Sequence, residues 1–376
     1  MSESVISAER LTEINQQTVA RKNMFYWQTD NGISMQERAI LFGSNRESID
    51  ESYILDQLNK GFSESPSHTD LHVVSIGQRK LFTSQSHVNI SCIAELSDGT
   101  SAVARVHPPG VRNGYFSSEA ALITRAKAYG VPVVQSILAR YGTVDGDLDF
   151  SLYQKVEGQD MKLYLHEHPD QENDLVRKAG MLMAAIHEVP VDGFGFFDNE
   201  YARKSGQLRG LHADYRDHCL AALDQNLADL VVGKYITESQ AAKIKALFET
   251  TSKFKITQAR IVHNDMADWN VIVDDGEIAA AIDWDEAHAG DPVADIACWS
   301  LFFSAERLKI FLEGYSLQSQ LDDDFDEKLH LYRLRYLVSK MALRHKIYSY
   351  KKNEHVEGLI KAGLAALADE SAFFKL

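Results

Sequence analysis

The sequence predicts an α+β fold, with a small, mostly antiparallel sheet carrying one helix, then a longer helical part, and a helical extension ahead of both. Three observations carry this reading. Between Leu71 and Val156 the apolar residues alternate with period two in several short runs. After Gly158 the apolar spacing becomes helical over most of the remaining chain. In the middle of that helical stretch stand three short β-type runs, separated by polar residues, which is the pattern of a functional loop cluster on a scaffold.

Taken in order, residues 1–70 are polar, with short helical patterns around Ala8–Arg21 and Ile49–Leu58 and a Ser/Pro break at Ser63–Thr69, so they read as an extension or cap. Residues 71–155 form the sheet part. Its runs are His72–Ile76, Asn89–Ala94 and Ala102–Val106, with a turn at Asp98-Gly99. A helix is expected over Ser117–Tyr129, opened by serine and closed by Gly130 and Pro132. Strands at Val133–Tyr141 and Leu148–Val156 follow, split by Asp145-Gly146-Asp147. Residues 156–376 form the helical part, with helices at Leu175–His187, Leu211–Leu230, Ser239–Phe248 and most of Ala294–Leu367. The interposed β-type runs are Arg260–His263, Val271–Val273 and Ala279–Ile282.

The chain has 376 residues, enough for two or three domains by a prior of about 150 residues each. It has 39 Lys and Arg against 54 Asp and Glu, a net charge of -15. Such a surface disfavours nucleic acid and anionic lipid as partners and leaves room for a cationic small molecule. Solubility alone explains an acidic surface equally well. Three cysteines without CxxC spacing make no disulfide framework, and neither a leader nor an apolar run of membrane-spanning length is visible, so a cytoplasmic location is expected.

The chemistry concentrates in His263-Asn264-Asp265-Met266-Ala267-Asp268-Trp269-Asn270, followed by a hairpin turning at Asp274-Asp275-Gly276 and then Ile282-Asp283-Trp284-Asp285. Asp265 falls on a loop just past a strand, free to point into a cleft. Asn270 starts the next strand, and the hairpin returns Asp283 to the same place. One free carboxylate beside an Asn/Asp pair is what phosphoryl transfer needs: the first orients a hydroxyl and takes its proton, the pair holds Mg²⁺ on nucleotide phosphates. The spacing H-x-D-x4-N matches a kinase catalytic loop, with Asp283 in the place of the metal-binding aspartate.

On these residues, and on Gly290-Asp291-Pro292-Val293-Ala294-Asp295, the chain resembles the aminoglycoside phosphotransferase and choline kinase group. These are small-molecule kinases with a two-lobed, protein-kinase-like fold. Upstream, Ala104-Arg105-Val106-His107-Pro108 resembles the strand that presents a basic residue to the phosphates, and Ser118-Glu119-Ala120 the helix whose glutamate pairs with it. Leu152–Gly158 resembles the hinge between the lobes. The resemblance implies ATP and Mg²⁺ as cofactors, with GTP as an open alternative donor. It implies Asp265 as catalytic base, Asn270 and Asp283 as metal ligands, and Arg105 with Glu119 as phosphate clamp. Val103 would roof the adenine, and the backbone at Gln154 to Val156 would meet its edge. Ser84 and Ser86 belong to the phosphate-covering turn, which lacks a glycine-rich pattern. Arginine at 105, where protein kinases have lysine, offers a planar fork instead of a point charge.

His263 and Asp295 are assigned structural support, Asp295 bracing the catalytic loop through backbone amides. Asp285, Glu286 and His288 form an acidic cluster past Asp283 that fits a substrate amine or simple solvation. The acceptor expected is thus an aminoglycoside or related polyhydroxy amine. A macrolide, choline-like, amino-acid or sugar acceptor is the alternative. Two other classes compete: a nucleotide-binding pseudokinase working as an interaction module, and a metal-dependent hydrolase using His263, Asp265, Asp283 and His288.

Overall fold

A computed structural model describes residues 6–19, 33–44, 49–66, 70–77, 89–112, 114–142 and 146–376. The chain opens with α1 (Ala8–Val19), α2 (Met35–Ala39, continued by a π-helical turn Ile40–Ser44) and α3 (Glu51–Glu64). An antiparallel sheet follows, built from β1 (Val73–Ile76), β2 (Ile90–Leu96), β3 (Ser101–Val106), β4 (Ser136–Arg140) and β5 (Phe150–Gln154), in the order β1-β2-β3-β5-β4. Helix α4 (Tyr115–Ala128) lies between β3 and β4. It begins two residues before the expected start, because Gly114 turns the chain at φ 73° and no serine side chain caps it.

Period two decides what β3 offers to each side. Ala102, Ala104 and Val106 are buried, so Val103 and Arg105 take the opposite face. The buried face packs on Ile54, Leu58 and Phe62 of α3. Gly61 lets α3 approach so closely that a Cβ there would stand 2.4 Å from the Phe150 ring. The second half of the extension is therefore a layer of the sheet's own core. The first half lies elsewhere: Asn15 of α1 bonds to Gly110 O at 2.8 Å and accepts from Arg112 N–H at 2.8 Å. Ile14, Ile33, Leu41 and Phe42 cluster with Val111, Tyr115 and Phe116.

Beyond Gln154 the chain crosses to the helical lobe through β6 (Gln159–Asp160), α5 (Met161–Glu167), α6 (Glu172–His187), β7 (Pro190–Val191), β8 (Phe194–Phe197) and α7 (Asn199–Ser205). The expected helix over 211–230 is broken into β9 (Gly210–His212), α8 (Tyr215–Leu220) and α9 (Leu223–Val232), since Asp214 caps a new helix at Arg216 N–H. Then come α10 (Glu238–Thr250), β10 (Ala259–Val262), β11 (Val271–Asp274), β12 (Glu277–Ala281), β13 (His288–Gly290), α11 (Val293–Ser300), α12 (Ala305–Tyr315), α13 (Phe325–Tyr350) and α14 (Glu354–Phe373). None of the described helices is long and apolar enough to cross a membrane.

Two features of this lobe position the site. Strand β10 runs between β7 and β13, and the β11–β12 hairpin pairs with β6 at the hinge. At Gly158, φ is 108° and a Cβ would meet Val273 O at 2.3 Å, so the hinge can close on the hairpin only with glycine there. Helices α6 and α12 cross backbone against backbone: a Cβ on Gly180 would lie 2.0 Å from Phe311 O, and one on Gly314 1.9 Å from Arg177 O.

Candidate active site

The loop after β10 is fixed from below by one buried carboxylate. Asp295, in the first turn of α11, accepts from His263 N–H and Asn264 N–H, each at 2.6 Å, and bonds to His187 Nε2 at 3.1 Å. Burial alone would push this carboxyl up, but the His187 bond, the histidine charges and the amides outweigh it and hold it below the usual range. With its amide held, Asn264 takes φ 68°, a left-handed conformation asparagine tolerates. His263 donates from Nε2 to Ile282 O at 2.9 Å and its ring lies tilted against Trp284 with centroids 4.4 Å apart, tying the loop to the strand that leads to Asp283.

Asp265 emerges from this platform into the cleft. Asn270 Nδ2 donates to Asp265 O at 2.7 Å and to its Oδ2 at 3.1 Å. The amide nitrogen is thus occupied, and Asn270 Oδ1 is the atom left to serve as a ligand. Burial raises the Asp265 pKa. Lys340 on α13 pulls it down, and Asp283 pushes it up again.

Asp283 has φ 65° and ψ 63°, left-handed for a residue with a side chain, at a conformational cost of about 1–3 kcal/mol. Its carboxylate meets Arg105 Nη2 at 2.9 Å. Arg105 also binds Glu119 Oε1 at 2.7 Å through Nη1 and lies 3.7 Å from Asp285 Oδ2. Tyr153 donates to the other Glu119 oxygen at 2.6 Å. Burial opposes the Arg105 charge, yet Glu119, Tyr115, Asp283 and Asp285 around it drive its pKa up. Burial and Asp283 raise Asp285 in turn. Asn270 and Asp283 flank the β11–β12 hairpin, where Ile282 N–H donates to Asn270 O at 3.0 Å, and Asn270 Oδ1 and the Asp283 carboxylate are oxygen donors. A hard, oxygen-liganded dication fits that donor set, because Mg²⁺ is usually held by one or two carboxylates together with substrate phosphates.

The geometry thus gathers Asp265, Asn270, Asp283, Arg105 and Glu119 at one place, with Val103 on the same face of β3 as Arg105. Gln154 and Val156 lie at the hinge. The Gln154 N–H is already given to Gln135 O at 2.8 Å, and the next amide, of Lys155, to Ser101 O at 3.0 Å. Ser84 and Ser86 lie outside the described residues.

A family model described as the phosphotransferase enzyme family matches residues 93–332. The chain belongs to this family. It is a small-molecule phosphotransferase with a two-lobed, kinase-like fold. Solved structures of similar fold include a thermostable mutant of aminoglycoside phosphotransferase APH(4)-Ia in ternary complex with ADP and hygromycin B. That one has 17% identity and a TM-score of 0.56, covering 84% of this chain and 98% of the other. Another is a putative fructosamine-3-kinase from Thermobifida fusca YX-ER1, at 18% identity and a TM-score of 0.57, with 84% and 98% covered. No curated protein matches the sequence.

Within the phosphotransferase, the acidic cluster does not stand as a substrate-facing patch. His288 is fully buried on β13, packed by Phe196, Tyr215 and His218 between two neighbouring strands, so it reaches no substrate. Asp285 turns to Arg105 instead. Among the described residues no group of three or more His, Cys, Asp or Glu gathers as a metal site, so the hydrolase constellation is not assembled. Two site residues had no signature in the sequence. Lys340 sits mid-helix in α13 and acts on Asp265 through space. Trp269, in the loop after β10, is 40% exposed and stands edge-on to Phe302 at 5.2 Å.

Proposed function

We propose that this phosphotransferase moves the terminal phosphoryl group of ATP, with Mg²⁺, to a hydroxyl of a small molecule. The convergence of Asp265, Asn270 and Asp283 behind an Arg105–Glu119 clamp is the observation that supports this most. Asp265 accepts the hydroxyl proton as the oxygen attacks phosphorus, the bond to the bridging oxygen breaks, and ADP leaves. A base whose pKa has been raised by burial is better matched to that proton than an ordinary carboxylate. Asn270 and Asp283 are the residues that would hold Mg²⁺, which when bound supplies charge neutralisation on the phosphates. Arg105 orients phosphate oxygens. At the hinge, the Gln154 carbonyl and Val156 N–H take the adenine edge, since the Gln154 N–H is committed within the sheet.

The acceptor we assign is a sugar-like polyhydroxy compound, an aminoglycoside or related polyhydroxy amine first. The exposed Trp269 face supports a ring with stacked C–H groups, and complexes of a structural neighbour with ADP and hygromycin B lend the same direction. Lys340 near the base, and the withdrawal of Asp285 and His288, favour an uncharged sugar-like acceptor as the second reading. The three cysteines are free and buried, which suits a reducing, cytoplasmic setting. ADP release, measured with ATP and with GTP across aminoglycosides, neutral sugars, macrolides and amino alcohols, tests the reading. Acceptor-dependent release that vanishes in Asp265→Asn supports it, and release unaffected by that change sinks it.

A further inference from the structure

Arg105 stands before two carboxylates of one turn and is bonded to only one of them. Its Nη1 donates to Glu119 Oε1 at 2.7 Å. Of the two Nη2 hydrogens, one goes to Asp283 Oδ1 at 2.9 Å and one to the Tyr115 hydroxyl at 3.3 Å. Asp285 Oδ2 lies 3.7 Å from the same Nη2, near enough for an ion pair but outside hydrogen-bond reach. The acid that holds Arg105 is thus the one that would also hold Mg²⁺. A dication and a guanidinium on one carboxylate repel each other, so filling the cation site works against the Arg105–Asp283 contact.

The surroundings show where the released N–H can go. Side-chain exposure grades the acids around Arg105: Asp283 is 43% exposed, Asp285 16% and Glu119 2%. A cation arriving from solvent therefore reaches Asp283 first, and Asp285 stands behind it. Trp284 between them is buried, with its indole N–H on Ala281 O at 3.2 Å, and Ala287 N–H closes the turn on Trp284 O at 3.1 Å. Asp285 is thus held by the turn itself, whatever Asp283 binds. Tyr115, Glu119, Trp284 and Asp285 line a cavity with room for about one water, which gives the Asp285 carboxylate space to turn. Without a second acceptor, a buried Nη2–H would be left unpaired, which is costly.

We propose that Asp285 is a positioning residue for Arg105: as Asp283 turns to the cation, the Nη2–H that it releases passes to Asp285 Oδ2. Arg105 then stays anchored between Glu119 and Asp285, with Nε–H and the second Nη1–H left for phosphate oxygens. The proposal rests on the Mg²⁺- and nucleotide-dependent reading above.

A crystal structure with Mg²⁺ and a non-hydrolysable ATP analogue reads the exchange directly. Arg105 Nη2 should come within about 3.2 Å of Asp285 Oδ2 and leave Asp283, whose carboxylate holds the cation. Arg105 still bonded to Asp283, or Asp285 itself on the cation, would overturn the proposal. Calorimetry gives an independent reading in the gain of analogue affinity on adding Mg²⁺. Asp285→Ala should lower this gain about tenfold, and Asp285→Asn, which keeps an acceptor oxygen, should recover part of it. In an Arg105→Met background, Asp285→Ala should lower the gain less than about threefold, because the group to be anchored is gone. An equal fall in both backgrounds overturns the proposal in favour of a direct or through-space effect of Asp285 on the cation, and no fall in either overturns it outright. Should a variant fail to fold, the complex of the unchanged chain decides alone. If analogue binding by the unchanged chain gains nothing from Mg²⁺, the Mg²⁺-dependent reading falls and Asp285 with it; if the gain is present and Arg105 stays on Asp283, Asp285 alone is wrong.

Discussion

The clamp around Arg105 and the loop around Asp265 face the same cleft and are held by opposite means. Arg105 is gripped by side chains, Glu119 from α4 and Asp283 from the turn after β12, so its partners come from both lobes. The loop is gripped through its backbone, with both oxygens of Asp295 spent on consecutive amides and His263 spent on Ile282 O. Ion pairs between side chains can be exchanged when a charged ligand arrives. A carboxylate that holds backbone amides can let go only if the loop unwinds. The contrast sets exchangeable charge on the Arg105 side of the cleft and fixed geometry on the Asp265 side.

The sharpest way to test the fixed side is Asp265→Asn. Turnover should drop by about 10²–10⁴-fold while nucleotide affinity, read by calorimetry, stays within about twofold. Asp295→Ala tests the platform itself and should cost about 3–5 kcal/mol in urea unfolding, because the buried His187 and two amides lose their partner together. The sign of the pH effect follows from a depressed carboxyl. Its contribution is complete above the unfolded value near ~4 and drains away as pH falls through the lower folded value, so this variant should narrow the difference from the unchanged chain in strong acid.

On the adaptable side, Arg105→Lys should lower nucleotide affinity by only about tenfold, since a point charge still satisfies Glu119 but loses the fork that also spans Asp283. If it proves as damaging as Asp265→Asn, the distinction between exchangeable and fixed elements fails. The acid limb of the kcat/KM profile should lie above the ordinary carboxylate range because burial raises Asp265. Lys340→Met should move it further up, since Lys340 favours the ionised form. A limb that stays in place would remove Lys340 from the site. The smallest effect is expected away from the cleft, at Asp149, which burial pushes up to about 7 while Gly142 N–H donates to it at 2.7 Å. A folded pKa above the unfolded one means stability is lost as pH rises between ~4 and 7. Asp149→Asn keeps an oxygen for Gly142 and should raise Tm by a few degrees at pH 8, with no gain near pH 4.

How much of this was readable beforehand depended on how local each feature is. Asp265, Asn270 and Asp283 are brought together by one hairpin, so their meeting could be inferred from spacing. Arg105 and Glu119 were readable because alternation along β3 puts Arg105 opposite Ala104. His288 misled because β13 is three residues long, too short to show a period, and it is covered on both sides by β10 and β8. Helix α3 looked like part of an extension because its partners, Ala104 and Phe150, lie far along the chain. Lys340 gave no sign at all, since α13 buries residues on every face and its pattern singles out none.

The crossing of α6 and α12 at Gly180 and Gly314 bears on how the enzyme can move. With Phe311 O and Arg177 O where side chains would otherwise be, the two helices are keyed together, and sliding one along the other would drive backbone into backbone. Domain motions divide into shear between packed helices and rotation about a hinge. The keyed crossing takes shear away from the layer directly beneath the catalytic loop, where α6 ends at His187. Sliding at this crossing is closed, so α6 and the His187 contact to Asp295 stay keyed to α12 as one piece.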